Sequence, residues 1–282
     1  MLGKKQSLFY LIGRFARIFC AVKTSASTLC AYWFEKNPEK ILNLRKDTFS
    51  QLLTISNVQY GSRLLCVDET GGLIALGLVE RMKGNGDLFC FHDRATPDLD
   101  ILKTANLAEP FRDVVKSIPW HDFIGDPIVE TRHVPHTPES HLKFNERQEK
   151  RAKVYSNLKA GHFDGVVIAS RYNNIQIMDK LEPFLDSSSP VVIYAYRKES
   201  LMEVYEMMRW SDKYINAQLT ESWMREYKCP VNLSGTHPQM MTSASGGYYV
   251  SAIFVGKQDL VIEKVSYKKM KADAKEKESK DI

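Results

Sequence analysis

Four apolar runs, each leading into charged residues, constrain this chain more than any other feature. They are "RLLCVDE" at 63–69, "DLFCFHDR" at 87–94, "FDGVVIAS" at 163–170 and "SPVVIYAY" at 189–196. All four have the length and the β-branched or aromatic content of strands buried on both faces. Helical patterns lie between them: Leu73–Met82, "PDLDILKTANL", "IQIMDKLEPFLD", and "KESLMEVYEMMRWS" with Leu201, Val204, Tyr205 and Met208 on one side. A further strand is read in "DVVKSIPWHDFI". Strands alternating with helices imply an α/β chain with a doubly wound, mostly parallel sheet. The spacing of Tyr248, Val250, Ala252 and Phe254 adds a C-terminal antiparallel edge pair. Ahead of the first strand, "KTSASTLCAYWFEKNP" and "RKDTFSQLLTIS" read as helices. The first is ended by Asn37-Pro38, and the second has Asp47 as its N-cap.

These elements place one domain at 24–262, with a loop and a charged helix at 126–158 inside it. Residues 1–23 form a basic entry segment, and 263–282 form a Lys-rich tail with no core face, expected to be disordered. With 282 residues and 44% hydrophobic content the chain can bury one large core. The net charge of +5 is modest, so its distribution matters more than its size. Cys20, Cys30, Cys66, Cys90 and Cys229 are odd in number and scattered, which suits reduced thiols in the cytosol or nucleus. Cys66 and Cys90 fall in strands and carry no cue for activation. The apolar stretch "SLFYLIGRFARIFCAV" is broken by Arg14 and Arg17 and is shorter than a bilayer span, so neither a membrane helix nor a signal peptide is expected.

In open parallel sheets a ligand lies beyond the carboxyl ends of the strands, so the residues there decide the chemistry. After the first strand, Asp68 is placed as the acid that precedes a cofactor-cradling glycine loop. Thr70, Gly72 and Ile74 then stand at the three glycine positions, and only Gly72 keeps a glycine. Thr70 and Ile74 bring β-branched bulk to points where backbone must approach a cofactor. The dinucleotide pattern fails as well. Asp93 in "FHDR" is a single acid that could reach a ribose. The loop "IASRYNN" carries Arg171 and no carboxylate, and "YAYRKES" carries Arg197 and Lys198. The strand ends therefore read as short of acids and rich in cations, the shell of a cofactor site without its working groups.

The blocks "RKDTFSQLLTISNVQYGSRLLCVDETGGLIALGLVERMKGNG", "FDGVVIASRYN" and "THPQMMTSASGGYYVSA" resemble the non-catalytic subunit of the eukaryotic tRNA adenine-58 N1-methyltransferase, from about Lys23 to Val255. The resemblance implies a Rossmann-like methyltransferase fold with a degenerate cofactor loop and no S-adenosylmethionine bound by this chain. It implies a nuclear heterotetramer with the catalytic subunit, two of each, in which the partner uses the cofactor and this chain grips tRNA. Two departures stand out. Ala244 and Ser245 interrupt the glycine run that relatives carry before Tyr248, and the β-barrel domain and linker that usually precede the basic stretch are not in this sequence.

Resemblance and charge pattern point to the same RNA contacts. Lys4, Lys5, Arg14 and Arg17 form an acid-free run suited to a phosphate backbone. Lys40, Asn43 and Arg45 lie between two helices, and Arg171 stands after a buried strand. Lys143, Arg147, Lys150, Arg151 and Lys153 lie on the charged helix, where i,i+4 pairing with glutamates is the competing explanation. Arg209, Lys213 and Asn216 bracket a helix end. Tyr32, Trp33 and Phe34 read as core or partner contacts. His133, His136 and His141 lack a regular metal spacing, so no metal is expected. "THPQMMTSASGGYYVSAIFV" is either core or a partner surface. Two other readings stay open: an active S-adenosylmethionine-dependent RNA methyltransferase with an atypical loop, and a regulatory chain that binds a protein partner but little RNA.

Overall fold

The computed structural model describes residues 21–94, 96–124, 138–228, 235–241 and 245–256. Chain order begins with helix α1 (Ala26–Lys36), a 3-10 turn (Pro38–Ile41) and helix α2 (Lys46–Ile55), followed by β1 (Arg63–Asp68), α3 (Leu73–Met82) and β2 (Asp87–His92). Next come α4 (Asp100–Thr104), α5 (Glu109–Asp113), β3 (Val115–Pro119), α6 (Trp120–Ile124) and α7 (Pro138–Lys159). The remainder runs β4 (Gly165–Ala169), α8 (Asn174–Leu181), β5 (Ser189–Ala195), α9 (Glu199–Trp210), β6 (Tyr214–Glu221), β7 (Tyr227–Lys228), β8 (His237–Pro238) and β9 (Tyr248–Phe254).

Seven strands form one sheet in the order β3-β2-β1-β4-β5-β9-β6, parallel except where β9 runs antiparallel to β5 and β6. Alternate residues along each strand face opposite sides. Leu64, Cys66, Leu88, Cys90, Val167 and Tyr194 pack beneath α1–α4. Leu65, Val67, Phe89, Phe91, Ile168 and Ile193 pack beneath α6–α9. The result is the doubly wound, three-layer arrangement expected from the strand-helix alternation. Burial pushes the Cys30 thiol up to about 12, and contact with Cys90 together with burial raises Cys66. Neither thiol is poised for chemistry at neutral pH.

Ser25 caps α1 through a capping box with Thr28: Thr28 N–H donates to Ser25 Oγ at 3.3 Å and Ser25 N–H donates to Thr28 Oγ1 at 2.9 Å. The N-cap of α2 is Arg45, not Asp47, because extended backbone at Arg45 starts the helix two residues earlier. Asp47 still lies in the first turn, where a carboxylate is favoured by the helix dipole. The stretch 113–124 holds strand β3 followed by a one-turn helix, and the short α5 ahead of it carries no strong periodicity in the sequence.

The antiparallel pair differs from expectation in one respect. Strand β9 is interior, hydrogen-bonded on both sides, and the sheet edge is β6. Its period-two pattern is that of a strand covered on one face more than the other, which an edge and an interior strand share. Gly246 and Gly247 lead into it. A Cβ on Gly247 would lie 2.3 Å from Tyr194 Oη, and its φ of +84° is left-handed, so this position requires glycine. The neighbouring Ser245 carries no such demand. Residues 1–20 and 257–282, which include the basic run and the Lys-rich tail, lie outside the described residues. No described helix is long and apolar enough to cross a membrane.

Candidate functional site

The strand order reverses direction between β1 and β4, which opens a crevice at their carboxyl ends. The loop from β1 into α3 forms its floor. Asp68 sits there with its carboxylate turned inward. Its Oδ1 accepts from Thr70 N–H at 2.7 Å and from Thr70 Oγ1–H at 2.5 Å, and its Oδ2 accepts from Ala75 N–H at 2.9 Å. Thr70 is fully buried, and its Oγ1 accepts from Ile74 N–H at 3.3 Å. The amides of Ile74 and Ala75 in the first turn of α3 are thus satisfied by the side chains of Thr70 and Asp68. Burial raises the Asp68 carboxyl above the ordinary range, and the bonds from Thr70, Ala75 and Gly72 offset part of that effect.

Gly71 and Gly72 both have left-handed φ, 71° and 87°. Their bare faces are covered by protein. A Cβ on Gly72 would lie 3.0 Å from Leu99 Cα, and one on Gly71 would lie 3.4 Å from Ile101 Cδ1 and from Lys40 Cε. Ile101 N–H donates to Gly71 O at 2.9 Å. The glycines therefore serve a turn that packs beneath the segment leading into α4. Asp93, at the end of β2, accepts a hydrogen bond from the Tyr172 hydroxyl.

A cleft of 210 Å³ remains at the crevice mouth. This is below the roughly 300–1,000 Å³ of pockets that enclose small-molecule ligands. Glu39, Glu69, Asp93 and Asp98 line it together with Lys40, Arg94 and Arg171. The expectation of a mouth short of acids is corrected here. Glu69 stays at the rim because its Oε2 accepts from Arg171 N–H at 2.5 Å. Glu39 and Asp98 arrive from segments outside the strand ends, which reading the strand-end loops alone does not reach.

The basic residues divide into three groups. Lys40 and Arg171 meet at the cleft. Lys40 Nζ lies 4.4 Å from the centre of the Trp33 ring and 4.0 Å from Asp100 Oδ2, and Arg171 Nη2 donates to Glu39 O at 3.2 Å. Asn43 is half-buried nearby, with a left-handed φ of 56°. Arg209 extends beside Tyr205 and Trp210 at the end of α9, and Lys213 and Asn216 follow at the start of β6. Lys213 is paired with Glu182, and Asn216 Oδ1 accepts from Gln218 Nε2 at 2.8 Å. Arg147, Lys150 and Lys153 are exposed on α7, whereas Arg151 bonds Asp122 on α6. That carboxyl is fully buried; burial raises it, and bonds from Tyr155 and Arg151 bring it below its ordinary range. The Lys143 side chain and Lys4, Lys5, Arg14 and Arg17 lie outside the described residues.

Arg45 is a correction. Its guanidinium is buried, with Nε donating to Asp47 Oδ1 at 2.6 Å, Nη2 to Asp47 Oδ2 at 2.8 Å and Nη2 to Ser222 O at 3.1 Å. A bidentate pair of this kind clamps the start of α2 to the end of β6 and cannot also face a phosphate. Sequence reasoning also passed over Arg94 and Tyr172 as site residues, although each stands one residue beyond one it singled out. Tyr32 is exposed, and Trp33 and Phe34 pack partly against the core. Of the late segment, β9 is core while Met240 and Met241 are exposed. His141 is exposed, and His133 and His136 lie outside the described residues.

Comparison with known proteins follows this geometry. Residues 13–156 match the model of the Gcd10p family. The chain is 30% identical to the tRNA (adenine(58)-N(1))-methyltransferase non-catalytic subunit TRM6 of Debaryomyces hansenii, over 83% of this chain and 52% of that protein. The Mus musculus protein of the same name is 25% identical over 86% of this chain and 62% of its own length. The chain thus spans about half the length of the curated relatives it matches. Among solved structures, a SAM-dependent O-methyltransferase from Thermotoga maritima superposes with a TM-score of 0.53 at 14% identity, covering 77% of this chain and 68% of that one. The tRNA (m1A58) methyltransferase TrmI from Aquifex aeolicus gives 0.50 at 17% identity, covering 75% and 69%. These likenesses establish a Rossmann-like methyltransferase fold.

Proposed function

Because the chain belongs to the Gcd10p family, we propose that it is the non-catalytic, tRNA-binding subunit of a tRNA adenine-58 N1-methyltransferase. In this reading it assembles in the nucleus with a separate catalytic subunit, two copies of each, and holds tRNA for methyl transfer. S-adenosylmethionine is bound and used by the partner alone. The names of the relatives support the assembly and the lack of catalysis.

One observation carries the reading within this chain: the inward turn of Asp68 onto Thr70 and Ala75. A cofactor would need those amides and the bare faces of the glycines, and both are taken. The residues present do not fit S-adenosylmethionine. For RNA, the exposed cations Arg147, Arg171 and Arg209 and the half-buried Lys40, with the run Lys4, Lys5, Arg14 and Arg17, supply phosphate contacts. Lys213 and Asn216 stand beside that path and Lys143 belongs to the same helix as Arg147.

Isothermal titration of S-adenosylmethionine into the full chain tests the closed loop. The expected result is no binding up to about millimolar ligand, weaker than about −4 kcal/mol. Micromolar binding would show that the loop opens to accept cofactor and would overturn the reading.

A further inference from the structure

Arg171 extends at the crevice mouth, and among the described residues its guanidinium has no ion pair, only the bond to the Glu39 carbonyl. Yet Asp93 and Glu69 line the same 210 Å³ cleft. Two carboxylates beside an unpaired guanidinium are a natural trap for it. What separates them is Tyr172. Its hydroxyl donates to Asp93 Oδ2, and Glu69 is held by the Arg171 backbone N–H at 2.5 Å. The bond to Asp93, then burial and the charges of Glu69 and Asp93, raise the phenol above its ordinary range. Tyr172 is 41% exposed. Apolar burial is therefore a poor reason for a tyrosine here, and the hydroxyl is the group that matters.

We propose that Tyr172 is a positioning residue that occupies Asp93 and so keeps the Arg171 guanidinium available to an RNA phosphate. This rests on the reading of Arg171 as an RNA contact. Phenylalanine at 172 would leave the Asp93 carboxylate without its donor, and that carboxylate would take Arg171 in exchange. The arginine would then meet phosphate only by breaking an ion pair. Asparagine at 93 removes the competing charge and makes the tyrosine hydroxyl dispensable.

The test measures tRNA affinity of the assembled complex across a salt series for Arg171→Ala, Tyr172→Phe, Asp93→Asn and the double variant Tyr172→Phe/Asp93→Asn. Arg171→Ala is expected to weaken binding and to reduce the slope of log K against log salt by about 0.7–0.9. Tyr172→Phe is expected to weaken it roughly three- to tenfold, the scale of one hydrogen bond or ion pair. Asp93→Asn alone should hold or raise affinity, and in the double variant it should restore the affinity lost by Tyr172→Phe. A loss that reflected damaged packing would not be restored by Asp93→Asn. If Arg171→Ala changes nothing, Arg171 is not an RNA contact and the functional reading of that residue fails. If Arg171→Ala weakens binding but Tyr172→Phe does not, or if Asp93→Asn lowers affinity or fails to rescue, the positioning role is wrong while the contact stands. Asp93→Asn decides the matter even if Tyr172→Phe folds poorly.

Discussion

Arg45→Ala is expected to destabilise the folded chain by about 3–5 kcal/mol, the cost of leaving one partner of a buried ion pair alone. The pair is closed to solvent on both sides, with the Arg45 and Asp47 side chains 8% and 11% exposed. Removing the guanidinium leaves the Asp47 carboxylate with Ser222 as a donor, at 2.8 Å, and opens the Ser222 carbonyl to a void. Thermal or urea unfolding of the variant measures the loss. The pH dependence gives a second reading. Burial raises the Asp47 carboxyl, but the bonds from Arg45 and Ser222 and the Arg45 charge outweigh it, so its folded value lies below the ordinary one. A depressed carboxyl stabilises the fold above its unfolded pKa and loses that contribution as pH falls through the folded value. Without Arg45 its hydrogen bond and its charge are both lost as lowering causes, the stability that Asp47 adds above its unfolded pKa shrinks, and the midpoint of acid unfolding moves to higher pH. A variant with unchanged stability and weakened tRNA binding would return Arg45 to the RNA-contact set.

Asp68→Ala carries the second large effect, about 2–4 kcal/mol of stability. It removes the acceptor for three donors in a buried loop, and the N-terminal amide of Ala75 then has no partner. Asp68→Asn, which retains one acceptor oxygen of similar shape, should lose less than alanine. Neither change should alter S-adenosylmethionine binding by the assembled complex, because in the proposed function that ligand belongs to the partner. A selective loss of cofactor binding with unchanged stability would mean that Asp68 faces a ligand.

These two residues show how far the sequence could be read. The strands around Cys66, Phe89, Ile168 and Ile193 are legible because long apolar runs between turn residues have few other places to go. Thr70 and Ile74 are legible as β-branched residues at positions where a cofactor loop carries glycine. What the sequence does not show is which distant residues pack on that loop. Nothing local says that Leu99 covers Gly72, or that Tyr172 reaches Asp93 from 79 positions away. Those contacts follow from strand order. Arg45 was misread for the same reason: its partner Asp47 is near in sequence, but the burial comes from Ser222, 177 positions on. A basic residue between helices reads as solvent-facing until the sheet edge folds over it. The acids at the crevice mouth went unseen because Glu39 and Asp98 belong to elements that only the tertiary fold brings there.

Reconstitution with the adenine-58 catalytic subunit tests the central claim most directly. Methyl transfer to tRNA is measured for this chain alone, for the partner alone, and for the two co-expressed and purified together. The account predicts transfer at adenine 58 by the assembled pair, none by this chain alone, and incorporation of crosslinked S-adenosylmethionine into the partner only. Transfer by this chain alone, or crosslinking of the cofactor to the loop at 68–74, would contradict it.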